Sequence, residues 1–285
     1  MRISAFLHQG APALGVRVGD ELLNLTEAGL PGTLDQLLRG GPSALEEAKR
    51  AQQRATSRVP VAGVQWLAPV ALPSKAIAVG LNYVDHAAEG KMDPPTYPVL
   101  FNRFPSSWVA HEQPLLRPHV STQFDYEGEL VVVIGRAGRY IDKSKALDHV
   151  AGYSIFNDGS IRDYQFKSAQ WMMGKNFDNS GAFGPEFVSA DELPAGARGL
   201  RLQTRLNGQV LQDANTRDMI FDVATLVSVC SVPFELQPGD IIISGTPAGV
   251  GLARTPQIFM KPGDRCEIEI EGVGVLSNPV ADESR

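Results

Sequence analysis

Residues 124–135 read FDYEGELVVVIG, and three acids, Asp125, Glu127 and Glu129, stand at alternate positions before the most strand-like run of the chain. In an extended strand, side chains two apart leave the same face ~7 Å from one another. Glu127 and Glu129 therefore point the same way, with Asp125 two residues further out. Like charges held that close repel, and taking them out of water is costly unless a cation compensates. Two readings stay open on these residues alone. One is the solvated mouth of an edge strand, where acids cost little. The other is a hard divalent cation, which prefers carboxylate oxygens and supplies the missing charge. A third ligand is then wanted, and Asp158 in SIFNDGS ends another apolar run that strand pairing can bring alongside. The competing reading of Asn157-Asp158-Gly159 is a plain turn. With neither His nor Cys nearby, an oxygen-only set favours Mg²⁺ or Mn²⁺ over Zn²⁺.

Proton-transfer chemistry has its own candidates. In GLNYVDHAAEG (80–90) Asn82 is placed to cap a short helix that would carry His86 and Glu89, three apart, on one face. A carboxylate beside an imidazole orients it and raises its basicity, as a general base needs. The alternative is a surface His/Glu pair of no consequence. Lys175, in WMMGKNFDNSG (171–181), can neutralise a carboxylate or a developing enolate, or be a solvated lysine. Arg162 and Gln165 in SIRDYQ can hydrogen-bond a substrate just beyond Asp158, or form a polar helix face.

The elements that must position these residues are mostly strands. RISAFL, ALGVRV and ELLNL occupy residues 1–25, with a Gly19-Asp20 turn. Two helices follow, at 33–38 and 43–54, the second with Ser43 and Glu46 in a capping-box pattern. Residues 59–73 hold three prolines and a tryptophan and read as a connector. A boundary near residue 70 divides a small N-terminal domain (1–70) from a larger one (71–285). Strands are expected at 75–79, 98–102, 129–135, 151–157 and 200–206, the last turning back through Asn207-Gly208 as a hairpin. Two Pro-Gly-Asp turns launch further strands. A helix over about 221–232 begins near Asp222. The run GTPAGVG (245–251) lacks the Lys-Ser/Thr ending of a phosphate loop and reads as a turn with close backbone packing. Many strands and few helices give an α+β, β-rich chain.

Composition narrows the function classes. The 285 residues are 43% hydrophobic and 20% charged, and the net charge is −6. That acidity excludes a general nucleic-acid or anionic-membrane binder, though not a local anionic-substrate site. No run reaches the length of a membrane span, and the start is too short in apolar residues for a signal-peptide core. Cys230 and Cys266, both in apolar stretches, are expected as buried free thiols, which suits a reducing cytoplasm.

Together the segments GLNYVDHAAE, DYEGEL-VVVIG, GYSIFNDGSIRDYQ, GKNFD-GP, QDANTRDMIF, LQPGDIIISGTPAGVG and KPGD with EIEGVGVLSNPV resemble the fumarylacetoacetate hydrolase family, in order from about residue 75 to 280. The resemblance implies a rolled, mixed β-sheet C-terminal domain in a homodimer. It implies Mg²⁺ or Mn²⁺ held by Glu127, Glu129 and Asp158, with Asp125 left at the rim. It implies His86 and Glu89 as a catalytic dyad on a mobile lid, Lys175 as the family lysine, and Thr246 as a carboxylate contact. Gln165, Arg162, Arg103 and Tyr83 complete the substrate-binding candidates. Ala182, Gly159 and Arg103 depart from residues common in relatives, and bear on pocket shape. The reaction implied is hydrolysis of the C3–C4 bond of a 2,4-dioxo acid of acylpyruvate type. In it, His86 activates a water that attacks C4, Lys175 stabilises the enolate and the 82–92 segment closes over the site. The alternatives are decarboxylation of oxaloacetate, hydration or isomerisation of an unsaturated 2-oxo acid, and a metal-binding homologue without turnover.

Overall fold

A computed structural model describes residues 1–41, 43–90 and 93–284. The fold is α+β and strand-rich. Ten strands of a 12-stranded mixed sheet follow one path: Arg58–Pro60, Glu21–Asn24, Ala11–Val18, Arg2–His8, Gly181–Ser189, Val150–Asn157, Gly128–Ile134, Ile241–Ile243, Ala76–Gly80 and Val99–Asn102. A five-stranded sheet of Gln209–Asn215, Arg201–Leu206, Arg265–Ile270, Gly274–Asp282 and Leu115–Arg117 packs on one side.

The run GELVVVI explains the layering. Its residues alternate between two buried cores, because successive strand side chains leave opposite faces. Leu130, Val132 and Ile134 pack with Leu202, Ile268 and Leu276 of the second sheet. Val131 and Val133 pack with Ile3, Leu14 and Phe156 and with Leu34, Leu37 and Ala48 of the two N-terminal helices. A strand apolar on both faces belongs in the middle of a sheet, and this one is paired on both sides. The edge-strand reading of the opening acids is thereby overturned.

The N-terminal strands extend the same sheet, since Arg2 and Ile3 pair with Val188 and Phe187. Residues 59–73 are more than a connector: Arg58–Pro60 pairs with Glu21–Leu23 and Gln65–Leu67 with Ala5–Leu7. The helix Ala44–Arg54 forms, but Ser43 makes no side-chain cap bond, so the capping box is absent. Elsewhere local chemistry acts as read. Asn207 and Gly208 take φ of 53° and 81° in the tight hairpin between Leu206 and Gln209. Asp240 and Asp264 each accept a backbone N–H three residues back, at 2.8 and 2.9 Å, before their strands begin. Asp222 caps the helix Val223–Cys230 by accepting the Thr225 N–H at 2.8 Å. Among the described residues no helix is long and apolar enough to cross a membrane.

Candidate metal centre

Strand pairing assembles the acids. Gly128 pairs with Asn157 across the antiparallel ladder, the Asp158 N–H donates to the Glu127 carbonyl at 2.8 Å, and the Asn157 side chain accepts the Glu127 N–H at 3.1 Å. Carboxylate oxygens of Glu127, Glu129 and Asp158 consequently lie within 4.8 Å of one another, all three residues buried. Gly159 lets the chain leave Asp158 at this angle, because a Cβ there would meet the Ser180 carbonyl at 1.9 Å.

Three buried cations oppose these acids. Lys175 Nζ lies 2.7 Å from Glu127 and 2.6 Å from Asp158. Arg162 Nη1 lies 2.7 Å from Glu127, and Arg103 Nη1 donates to Asp158 at 2.7 Å. Glu129 has no cationic partner among the described residues and accepts the backbone N–H of Gly245. Burial, reinforced by Asp158 and Glu127, pushes its carboxyl well above the ordinary range. Burial alone would raise Glu127 too, but Lys175, Arg162 and His86 outweigh it and hold Glu127 at about 2. A carboxylate left uncompensated between two others is what a hard divalent cation neutralises. Each carboxylate oxygen has a second lone pair beyond its present bond. The donor set therefore fits Mg²⁺ or Mn²⁺.

Asp125 is not at a rim. It is fully buried, and its oxygens accept Arg162 Nε at 2.8 Å and the Gly251 and Leu252 N–H groups at 2.8 and 2.9 Å. Its short strand, Phe124–Asp125, pairs with Ser160–Ile161 rather than continuing Gly128–Ile134. The shared face ends at that break.

The helix Val84–Glu89 carries the proton-transfer pair, with His86 Nδ1 3.4 Å from Glu89 Oε2. Both residues line the same cavity as the three acids. Glu89 also accepts the Gly249 N–H, at 2.9 and 3.1 Å to its two oxygens. Asn82 does not cap this helix. It is buried, donates to the Phe221 and Ser244 carbonyls at 3.0 and 2.7 Å, and accepts the Phe221 N–H at 2.7 Å. Tyr83 stands at the cap position without a side-chain bond. Its hydroxyl is buried with no partner among the described residues, and burial followed by the Glu129 charge raises its pKa and keeps the phenol protonated.

The glycine run 245–251 does more than turn. Its segment supplies backbone N–H groups to Glu129, Glu89 and Asp125 from Gly245, Gly249 and Gly251. Its amides hold the protein's own carboxylates instead of a phosphate. Sequence reasoning missed this role. The spacing of the glycines was the available signal, since a Cβ at 249 or 251 would lie 2.2 Å or 1.7 Å from a backbone carbonyl.

The cavity measures about 180 Å³, and Arg162, Gln165, Lys175 and Thr246 join the acids and the dyad in its wall, with Phe101, Trp171 and Leu252 among the apolar members. Arg162 donates to Gln165 at 2.8 Å and keeps Nη2 unpartnered among the described residues. The Thr246 hydroxyl lies 3.1 Å from the Gly128 carbonyl and accepts the Gln212 amide at 2.8 Å. Two substrate-binding candidates do not line the cavity. Tyr83 is buried outside its wall, and Arg103 is fully engaged by Asp158, Gly159 and Ser107. Arg103 thus supports a metal-binding carboxylate from behind. The expected closure of residues 82–92 includes Lys91 and Met92, which lie outside the described residues.

Comparison with known proteins agrees with this architecture. Residues 75–281 match the fumarylacetoacetate (FAA) hydrolase C-terminal family. The chain is 39% identical over 279 residues to the mitochondrial oxaloacetate tautomerase FAHD2A of Homo sapiens, covering 96% of this chain and 88% of that protein. Its fold matches the fumarylacetoacetate hydrolase of Exiguobacterium antarcticum with a TM-score of 0.86 and 34% identity, over 99% of this chain and 100% of that one. It also matches the maleylpyruvate hydrolase of Sphingobium sp. SYK-6, solved with manganese(II) and pyruvate, with a TM-score of 0.83 and 28% identity over 100% of both chains.

Proposed function

The chain belongs to the fumarylacetoacetate hydrolase family and carries a buried Glu/Glu/Asp divalent-metal site, and from that premise we propose that it interconverts the enol and keto forms of a short 2-oxo acid, with oxaloacetate the first substrate to test. The observation that carries this reading is the position of His86 and Glu89 on the same small cavity as Glu127, Glu129 and Asp158. The name of the human relative supports the substrate.

Tautomerisation moves one proton between C3 and the 2-oxo oxygen. Glu127, Glu129 and Asp158 would hold a divalent cation, which would supply Lewis acidity toward the 2-oxo oxygen and so ease removal of a C3 hydrogen. Glu89 accepts from Nδ1–H of His86, fixing the tautomer and leaving Nε2 to take the C3 proton or return it. The Gly249 N–H keeps Glu89 in place. Arg162 Nη2 is the one buried side-chain donor in the wall without a partner among the described residues, and suits a substrate carboxylate. Phe101, Trp171 and Leu252 keep water from competing for the proton.

A second reading is hydrolysis of the C3–C4 bond of an acylpyruvate, and the likeness to the maleylpyruvate hydrolase favours it. There His86 takes its proton from a water that attacks C4, and the products are pyruvate and a carboxylic acid. The deciding experiment follows enol-oxaloacetate decay by ultraviolet absorbance, and acylpyruvate products by NMR, with Mn²⁺ and with chelator. Fast metal-dependent enol decay that collapses in His86→Ala supports the tautomerase. Two acids released from an acylpyruvate support the hydrolase, and CO₂ from oxaloacetate the decarboxylase. Tight Mn²⁺ binding without turnover of any of these would leave a non-catalytic homologue. The same reading includes a homodimer, checked by light scattering, and residence in a reducing cytoplasm, which the two buried free cysteines suit.

A further inference from the structure

One of the alternating acids is used by neither the metal site nor the proton pair. Asp125 is fully buried, and four N–H donors converge on it. Oδ1 accepts Gly251 N–H at 2.8 Å and Tyr126 N–H at 2.9 Å, while Oδ2 accepts Arg162 Nε at 2.8 Å and Leu252 N–H at 2.9 Å. That is about as many donors as a carboxylate has lone-pair sites, so the group has little freedom to move. Two of its partners lead elsewhere. Arg162 goes on to Glu127 at 2.7 Å. The segment that supplies Gly251 and Leu252 supplies, two residues earlier, the Gly249 N–H that holds Glu89.

We propose that Asp125 is a positioning residue for proton transfer. It fixes the glycine segment against Arg162 and thereby sets His86 and Glu89 relative to the metal carboxylates, without touching substrate, metal or the imidazole. An Asn in its place has one oxygen and one NH₂, and the NH₂ would face N–H donors where an acceptor is needed. Whichever oxygen the NH₂ replaces, two donors lose their acceptor, Arg162 Nε with Leu252 N–H or Gly251 N–H with Tyr126 N–H, and the segment shifts. The kinetic part of this inference rests on the tautomerase reading above; the placement of His86 does not.

The test is Asp125→Asn in the full-length protein, with three measurements. The first is the ¹⁵N imidazole NMR signature of His86, expected to move although residue 125 is not its neighbour. The second is kcat for enol-oxaloacetate with Mn²⁺, expected to fall roughly 10- to 100-fold, as small misplacements of reacting groups do. The third is Mn²⁺ affinity by calorimetry, expected to stay within about threefold, where damage to a ligand's support typically costs tenfold or more. An unchanged His86 signature overturns the proposal, as does a kcat loss matched by an equal loss of Mn²⁺ affinity. If the wild type does not turn over enol-oxaloacetate, the functional reading fails and the NMR measurement still decides this one. Should Asp125→Asn not fold because Arg162 is left unpaired, D125N/R162Q removes both charges of the pair. Only the His86 signature is then compared, with R162Q as the parent, because Arg162 itself pairs with Glu127 and lines the cavity.

Discussion

Glu89 holds the backbone N–H of Gly249 between its two carboxylate oxygens, at 2.9 and 3.1 Å. The partner of the imidazole is therefore fixed by main chain from a segment some 160 residues away in sequence. Gly249 has φ of +104°, and a Cβ on it would lie 2.2 Å from the Leu211 carbonyl. Gly249→Ala should displace the amide and lower kcat by roughly 10- to 100-fold, as loss of a supporting hydrogen bond does. Stability should fall by about 1–3 kcal/mol from backbone strain. Steady-state kinetics and denaturant unfolding check both, and unchanged kcat would show that the Gly249 amide does not hold Glu89 in its working position.

His86 and Glu89 should differ in kind. His86→Ala removes the proton carrier and should cost ~10²- to 10⁴-fold in rate. Glu89→Gln leaves the imidazole but weakens its orientation, and should cost roughly 10-fold. Added imidazole should restore part of the activity to His86→Ala and none to Glu89→Gln.

Lys175 is buried between Glu127 and Asp158. Replacing it with Met leaves those carboxylates short of positive charge. Metal-free Lys175→Met should be less stable by about 3–5 kcal/mol, the range for breaking a buried ion pair. Mn²⁺ should recover part of that loss. Urea unfolding with and without the metal measures both, and a neutral substitution would show that the lysine is not needed to balance the acids.

Metal binding should release protons. Glu129 is raised well above its ordinary 4.5 by burial and by its acidic neighbours. A carboxyl with a raised folded pKa holds its proton where the unfolded chain has lost it, so its contribution to metal-free stability declines as pH rises above that ordinary value. Glu127, held at about 2, has the opposite sign: its contribution is full above 4.5 and is lost as pH falls toward 2. A cation entering the trio displaces the Glu129 proton, so apparent Mn²⁺ affinity should climb with pH. Calorimetry in two buffers of different ionisation enthalpy counts the protons, and a pH-independent affinity would contradict the assignment.

Cys230 and Cys266 are buried, and burial pushes both thiols up to about 12. Iodoacetamide at about pH 8 should leave the native protein unlabelled, because the thiolate is the reactive form. Label should enter both only as the chain unfolds, which mass spectrometry reports.

Local signals in the chain were legible wherever one segment carried its own instructions. The apolar run after Glu129, the Asn207-Gly208 hairpin and the helix beginning near Asp222 each depend on neighbours within a few residues, and each forms as expected. The pairing that brings Asp158 to Glu127 was also readable, since Glu127 leads into one apolar run and Asp158 ends another. What could not be read was the surroundings of each charge. Lys175 reads as solvated until the strands fold around it, and Asp125 reads as a rim acid until Arg162 and the glycine segment close on it. Arg103 resembled a pocket residue because its main acidic partner, Asp158, lies 55 residues away in sequence. The Ser43 capping box had the right residues, but Ser43 sits at φ −86° and ψ −3°, already helical rather than extended as a cap requires.

The strand order also bears on when the site can exist during synthesis. Ile241–Ile243 lies between Gly128–Ile134 and Ala76–Gly80, pairing antiparallel with the first and parallel with the second. The strand leading to the helix of His86 and Glu89 and the strand of Glu129 are therefore joined only through a third, which leaves the ribosome more than a hundred residues later. A nascent chain that stops short of Ile241 has every ligand and the proton pair, yet lacks the strand that joins them. Such distant pairings form slowly. Until the third strand arrives, Gly128–Ile134 has an unpaired apolar edge, the kind of surface that invites aggregation in unfinished chains.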